Sequence, residues 1–231
     1  MLKKAITKPH HIPHYIYLKI KRGIIQGYFM LKLGTKTFKF QGQSYKYYCK
    51  NYNTTWKNER AVEIPIVWEI VKNFHGKILE VGNVLSHYYR FTHDVVDKYE
   101  KADCVIKQDI VDLNTSKRYD LIVSVSTLEH IGVDEKPVEP KKILNAIENL
   151  KSNCLAPGGT MIITVPLGHN SELDRSIKKG SIDLGKQFYL QRLSKNNLWK
   201  ETDLNNVQNM AYDSPFPFGN ALVIAIKNTT G

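Results

Sequence analysis

From Lys77 onward the chain alternates short apolar blocks with polar segments. Residues 78–81, 95–96, 104–106, 121–125 and 161–165 are rich in Val and Ile. Runs of this kind fit strands covered on both faces, as in a parallel sheet. Between the fourth and fifth blocks the period changes. Ile143, Leu144, Ile147, Leu150 and Leu155 make one apolar helical face, which predicts a helix over 140–155. Ala156-Pro157-Gly158-Gly159 then stops the helix and turns the chain. A last strand is predicted at 221–227, with 188–193 as a candidate partner. Strands and helices alternating at these lengths predict an α/β fold with a doubly wound, mostly parallel sheet.

The region before Lys77 is less regular. Ala61, Ile64, Trp68 and Val71 fall at helical spacing, and Pro65 interrupts them. Proline fits best in a helix's first turn, so a helix is expected to start near Pro65 with a shorter one before it. Further upstream, Ile16, Leu18 and Ile20 alternate with Tyr17, Lys19 and Lys21, and Phe38 and Phe40 alternate with Thr37 and Lys39. Short strands and an irregular arm both fit this period of two. The expected organisation is an extension over 1–50 and one domain over 51–231.

Composition narrows the class. The chain has 231 residues, 42% hydrophobic and 24% charged, which indicates a folded protein of one large domain. Its apolar runs, such as 221–226, fall far short of the ~20 residues that a membrane span needs. The basic N-terminus lacks the apolar run of a secretory signal. Three cysteines, Cys49, Cys104 and Cys154, are an odd number without a CxxC. They exclude a disulfide framework and a thiolate zinc site, and a reducing cytoplasm is expected. The net charge of +11 is uneven: residues 1–50 carry eleven basic residues and no acid, and the remainder balances 22 basic against 22 acidic residues.

Chemistry concentrates at the predicted strand ends. The first strand runs through Glu80 to Gly82 and a turn, and Gly82 lets the backbone approach a ligand closely. In doubly wound sheets ligands bind outside the carboxyl ends of the strands. Asp97, at the end of the second strand, suits hydrogen bonds from both hydroxyls of a ribose. Asp109, just after the third, suits an adenine amino group. A lone acid at a strand end is usually a turn or cap residue, but three in order describe a nucleoside site.

The stretches LEVGN, VVDKYE, KQDI, YDLIVSVSTLEHIG and LAPGGTMIITVPLG resemble, in order, the motifs of class I S-adenosylmethionine (SAM)-dependent methyltransferases. The resemblance covers roughly residues 77–168. It implies a Rossmann-like sheet of seven strands, the last antiparallel, with SAM held over its carboxyl edge. It also implies that Glu80, Gly82 and Asn83 form the first cofactor motif, that Asp97 binds the ribose, and that Asp109 with Ile110 forms the adenine turn. Ser126 would lie beside the methionine part. The usual loop has two or three glycines, whereas Gly82-Asn83-Val84-Leu85-Ser86 has one. SAM has no phosphate, so the loss argues more strongly against a dinucleotide than against SAM.

Ser126-Thr127-Leu128-Glu129-His130 resembles the LEH segment of methyltransferases acting on small molecules and quinones. Some of these bind a metal through two acids and a histidine here. Ser126 replaces the first acid, so no metal is expected. Glu129 and His130 are candidate acid and base, since a histidine near neutral pH suits removal of a hydroxyl proton. A packing role for His130 fits equally. His169, with Asn170, follows the fifth strand and suits either an acceptor contact or a plain turn. Arg60 is the candidate partner of the methionine carboxylate, set against an exposed helix start with a Glu59/Glu63 pair.

The expected function is methyl transfer from SAM to a small molecule, sugar or glycan precursor, at oxygen. A catalytically inactive binding module and an RNA methyltransferase gripping through 1–50 are the alternatives. The basic extension fits a solvated arm, peripheral contact with an anionic membrane, or nucleic-acid binding.

Overall fold

The computed structural model describes residues 11–229. Lys3, Lys4, Lys8 and His10 of the basic extension lie outside them. The chain opens with α1 (His11–Gly34), so the alternation at Ile16–Lys21 marks a helix and not a strand or an irregular arm. Packing at its C-terminal half decides this: Leu33 is buried, and the Phe29 ring stacks on Trp56 at 6.2 Å. The second period-two stretch does form strands, β1 (Thr37–Phe40) and β2 (Gln43–Lys46), joined by Gln41 and Gly42 at positive φ. Two left-handed residues match the twist of a tight hairpin. Phe38 and Phe40 point inward and share a core cluster with Leu190, Trp199, Leu222 and Ile224. Residues 37–46 are therefore packed on the body.

α2 (Arg60–Val71) is one helix with Pro65 inside it, not a helix that starts there. Proline has no N–H, which frees the Ala61 carbonyl four residues back. Tyr48 N–H fills that vacancy at 2.9 Å. A segment of the extension thus satisfies the helix where its own hydrogen-bond ladder fails.

The body is one eight-stranded sheet of β3 (Ile78–Val81), β4 (Asp94–Val96), β5 (Val105–Ile106), β6 (Tyr119–Val125), β7 (Leu155–Pro166), β8 (Lys186–Arg192), β9 (Trp199–Thr202) and β10 (Ala221–Asn228). The spatial order is β5-β4-β3-β6-β7-β10-β8-β9. β3 to β7 pair in parallel, and β10 lies antiparallel between β7 and β8. This matches the expected sheet with its last strand antiparallel. β9 is one strand more, added antiparallel at the edge of β8.

Both faces are covered, as the strand composition requires. Leu79, Ile122, Met161 and Ile163 face α3 (Lys142–Asn149) and α4 (Ser171–Lys179) through Ile143, Ile147, Leu173 and Ile177. Ile78, Leu121, Val123 and Ile162 face α2 through Ile64, Val67 and Val71. The predicted helix over 140–155 is α3 followed by a wide turn at Leu150–Cys154. Only a single turn, Leu85–His87, stands between β3 and β4. Aromatic stacking of Trp68 on Tyr89, at 3.8 Å and nearly parallel, covers the sheet there.

Candidate active site

The strand order reverses at β3, whose neighbours β4 and β6 lead off in opposite directions. Crevices form at such points beyond the carboxyl ends of parallel strands. A cleft of about 340 Å³ lies there. Its walls include Arg60, Gly82, Asn83, Asp97, Asp109, Ile110, Ser126 and His130. Eight of the expected site residues are thereby brought together from α2 and the ends of four strands. Glu80, Glu129 and His169 lie behind the wall.

Glu80 shapes the loop from beneath. Its Oε1 accepts from the N–H groups of Val84 (2.8 Å) and Leu85 (2.5 Å), and its Oε2 contacts His93 Nε2 at 2.7 Å. Gly82 has φ 82°, and a Cβ there would collide with the Thr127 side chain. The single glycine is thus required twice, by its left-handed backbone and by the close approach of β6. Asn83 Oδ1 accepts from Ser86 Oγ within the loop.

The β4 and β5 ends carry the two aspartates in unlike states. Asp97 Oδ1 accepts from Tyr99 N–H (2.7 Å) and Glu100 N–H (2.9 Å), while its Oδ2 has no partner among the described residues. Asp109 is fully engaged. Its Oδ1 accepts from Val111 N–H at 3.2 Å, and its Oδ2 takes Lys142 Nζ at 2.6 Å and Lys98 Nζ at 2.9 Å. Burial raises its pKa, but the bonds from Lys142 and Lys98 outweigh that and hold it at about 2. The carboxylate expected to meet an adenine amino group is committed inside the chain. Val81, Val96 and Ile110 supply the apolar wall between the two aspartates.

This sheet has the seven strands expected, with β10 antiparallel beside β7, and β9 in addition. Its parallel strands and antiparallel last strand agree with the sheet that the resemblance to class I methyltransferases implies. No family model matches the chain, and no curated protein matches it. Among solved structures it resembles the N-methyltransferase NodS from Bradyrhizobium japonicum WM9 with S-adenosyl-L-homocysteine, 13% identical over 75% of this chain and 88% of that one, TM-score 0.46. It also resembles TehB from Haemophilus influenzae, 14% identical over 78% and 64%, TM-score 0.41. An S-adenosylmethionine-dependent methyltransferase from Clostridium acetobutylicum ATCC 824 is 14% identical over 72% and 89%, TM-score 0.37.

The other end of the cleft is built by α2, the end of β6 and the turn that follows it. Ser126, at the end of β6, adopts φ 40°, a costly conformation for a residue with a Cβ. It is held by Thr164 O, which accepts from its N–H (2.8 Å), and by Glu63 Oε1, which accepts from its Oγ (2.7 Å). Arg60 Nη2 donates to the Ser126 carbonyl at 3.3 Å, and its buried Nη1 has no partner. Arg60 forms no ion pair among the described residues. Glu59 and Glu63, read as an exposed pair, are both buried. Glu59 accepts from Gly219 N–H at 2.9 Å. Burial, then the nearby Glu59, pushes Glu63 up to about 7.

His130 stands at the cleft wall with its side chain 48% exposed. Its Nδ1 lies 2.5 Å from Asp134 Oδ2. A carboxylate only accepts, so in the neutral ring this contact favours the tautomer with the proton on Nδ1, which leaves Nε2 as the acceptor nitrogen. Glu129 is buried behind it, with Oε1 3.7 Å from that Nε2. Burial raises the Glu129 carboxyl far above the carboxylate range, and its Oε2 is unpartnered. The His169 ring centres 4.5 Å from that of His130. Burial, then His130, lowers the His169 pKa, and its Nδ1 is also unpartnered.

Sequence reasoning missed Asp134 and the roles of Glu63 and Thr127. Asp134 had a signal, since it stands four residues beyond His130. Glu63 had another, an acid set among Ala61, Val62 and Ile64 on a helix with no polar face. Thr127 had none, because its role is to exclude a side chain at Gly82.

Proposed function

We propose that the cleft binds SAM and that the protein transfers its methyl group to a hydroxyl of a small, sugar-like acceptor. The observation that carries the reading is the pair of unsatisfied groups at opposite ends of one cleft: the Asp97 Oδ2 acceptor and the unpaired Arg60 guanidinium. They match the ribose diol and the methionine carboxylate. Val81, Val96 and Ile110 offer the apolar surface that a purine ring needs.

Bound SAM would supply a methyl carbon already made electrophilic by its sulfonium. The chain's own residues then have two tasks. Arg60, Asp97 and the Gly82 loop hold the donor so that the acceptor oxygen can approach in line. His130 Nε2 takes the acceptor's hydroxyl proton as the new bond forms, and Asp134 holds the ring in the required tautomer.

Calorimetry of SAM binding to the native protein and to Arg60→Met tests this. Charge-assisted hydrogen bonds are worth ~1.5–3 kcal/mol each, so Arg60→Met should weaken binding about tenfold or more. A native protein that binds no SAM would leave the inactive-module reading standing.

A further inference from the structure

α1 carries apolar residues on two opposite faces. Its inward face is covered: Leu33 lies in the core cluster, Phe29 stacks on Trp56, and Gln26 Nε2 donates to Asn51 Oδ1 at 2.7 Å. At about 3.6 residues per turn, Tyr17, Ile24, Tyr28 and Leu31 form a stripe on the side opposite Leu33. Their exposures are 58%, 68%, 58% and 71%. The stripe is roughly 20 Å long at ~1.5 Å per residue. Large side chains exposed in a continuous row mark an interaction surface.

We propose that this stripe seats α1 in the headgroup boundary of an anionic lipid bilayer. Lys21 and Lys32 flank it, with their ammonium groups 6.0 and 5.7 Å from the Tyr17 and Tyr28 rings. Lysines so placed reach the phosphates while the rings and aliphatic chains lie deeper. Residues 1–50 contain eleven basic residues and no acid, so the segment is complementary to an anionic surface. Among the described residues no helix is long and apolar enough to cross a membrane, so α1 would lie along the surface.

The other occupants fit less well. A second copy of the chain would bring two all-basic segments together with no acid to pair them. Nucleic acid would use the lysines and tyrosines, but Ile24 and Leu31 gain nothing from a phosphate backbone. The inference is independent of the methyl-transfer reading.

Sedimentation with phosphatidylglycerol/phosphatidylcholine vesicles tests it, using the full chain and Ile24→Glu/Leu31→Glu. Both sites are exposed, so thermal melting should be unchanged. The double variant should lose about tenfold or more in partitioning, and native binding should fall as salt rises. Equal binding by native and variant overturns the proposal, as does native binding to pure phosphatidylcholine at the same strength. No vesicle binding, with a dimer in light scattering that the variant abolishes, would assign the stripe to self-association. No vesicle binding, with RNA binding that Lys21→Gln/Lys32→Gln weakens and the double variant does not, would assign the segment to nucleic acid.

Discussion

Around Asp97 and Asp109 every carboxylate oxygen except Asp97 Oδ2 already has a protein partner. Around Arg60, Glu63 and Glu129 several polar atoms have none. The first end is a preformed recognition surface, tied by short-range turns: Asp97 caps its own chain two and three residues on, and Asp109 caps the turn it starts. The second end leaves Arg60 Nη1, Glu63 Oε2, Tyr88 OH, Glu129 Oε2 and His169 Nδ1 buried without partners. Each such atom costs about 1–3 kcal/mol. Groups left in that state are available to a ligand or to chemistry. Under the proposed reading the first end and Arg60 hold the donor, and the reaction takes place beside His130.

The sharpest way to break that division is His130→Ala. General-base catalysis is typically worth ~10²–10⁴-fold in rate. Turnover with a hydroxylated acceptor should fall by that factor, while SAM affinity measured by calorimetry stays near native. His169 is behind the wall, so His169→Ala should lose far less. A reversed pair of rates would move the base to the β7 end. Full activity in both would leave only orientation of the reactants.

A second effect, on stability, belongs to Glu63. Its pKa is raised from an ordinary 4.5 to about 7 in the folded chain. Between these values the folded state binds more protons than the unfolded state, so stability falls as pH rises. At ~1.36 kcal/mol per pKa unit, the loss across the window is of the order of 3 kcal/mol. Glu63→Gln keeps an acceptor for Ser126 Oγ and removes the ionisation. Denaturant unfolding at pH 5 and pH 8 should show the native protein losing stability relative to this variant at the higher pH. A constant difference at both values would mean that Glu63 titrates normally.

The same contrast explains what was legible in the sequence. β3 was readable to the residue, because three apolar positions around Glu80 precede a glycine. That Gly82, Asp97 and Asp109 line one cleft was readable because they stand at successive strand ends. The reactive end was not, because it joins residues 59–63 to 126–130 and to His169, and only tertiary packing does that. β9 was missed since four residues with one inward Trp199 leave little pattern. α1 was misread because alternation over six residues also fits two turns of helix.

The smallest expected effect separates the two aspartates. Asp97→Asn keeps an acceptor oxygen for the N–H groups of Tyr99 and Glu100, so the turn survives. It loses the charge and the second acceptor facing the cleft. With bonds to charged groups at ~1.5–3 kcal/mol, SAM affinity should fall about tenfold. Asp109 is already neutralised by Lys142 and Lys98, and little of its charge faces a ligand. Asp109→Asn should therefore leave affinity within about threefold of native, since it removes a contact that is made inside the chain. Calorimetry on the two variants side by side measures the ratio directly. An Asp109→Asn loss as large as that of Asp97→Asn would mean that the lysines release the carboxylate on binding. The first end would then free a second carboxylate for its ligand beside Asp97 Oδ2, and the contrast drawn between the two ends would fail there first.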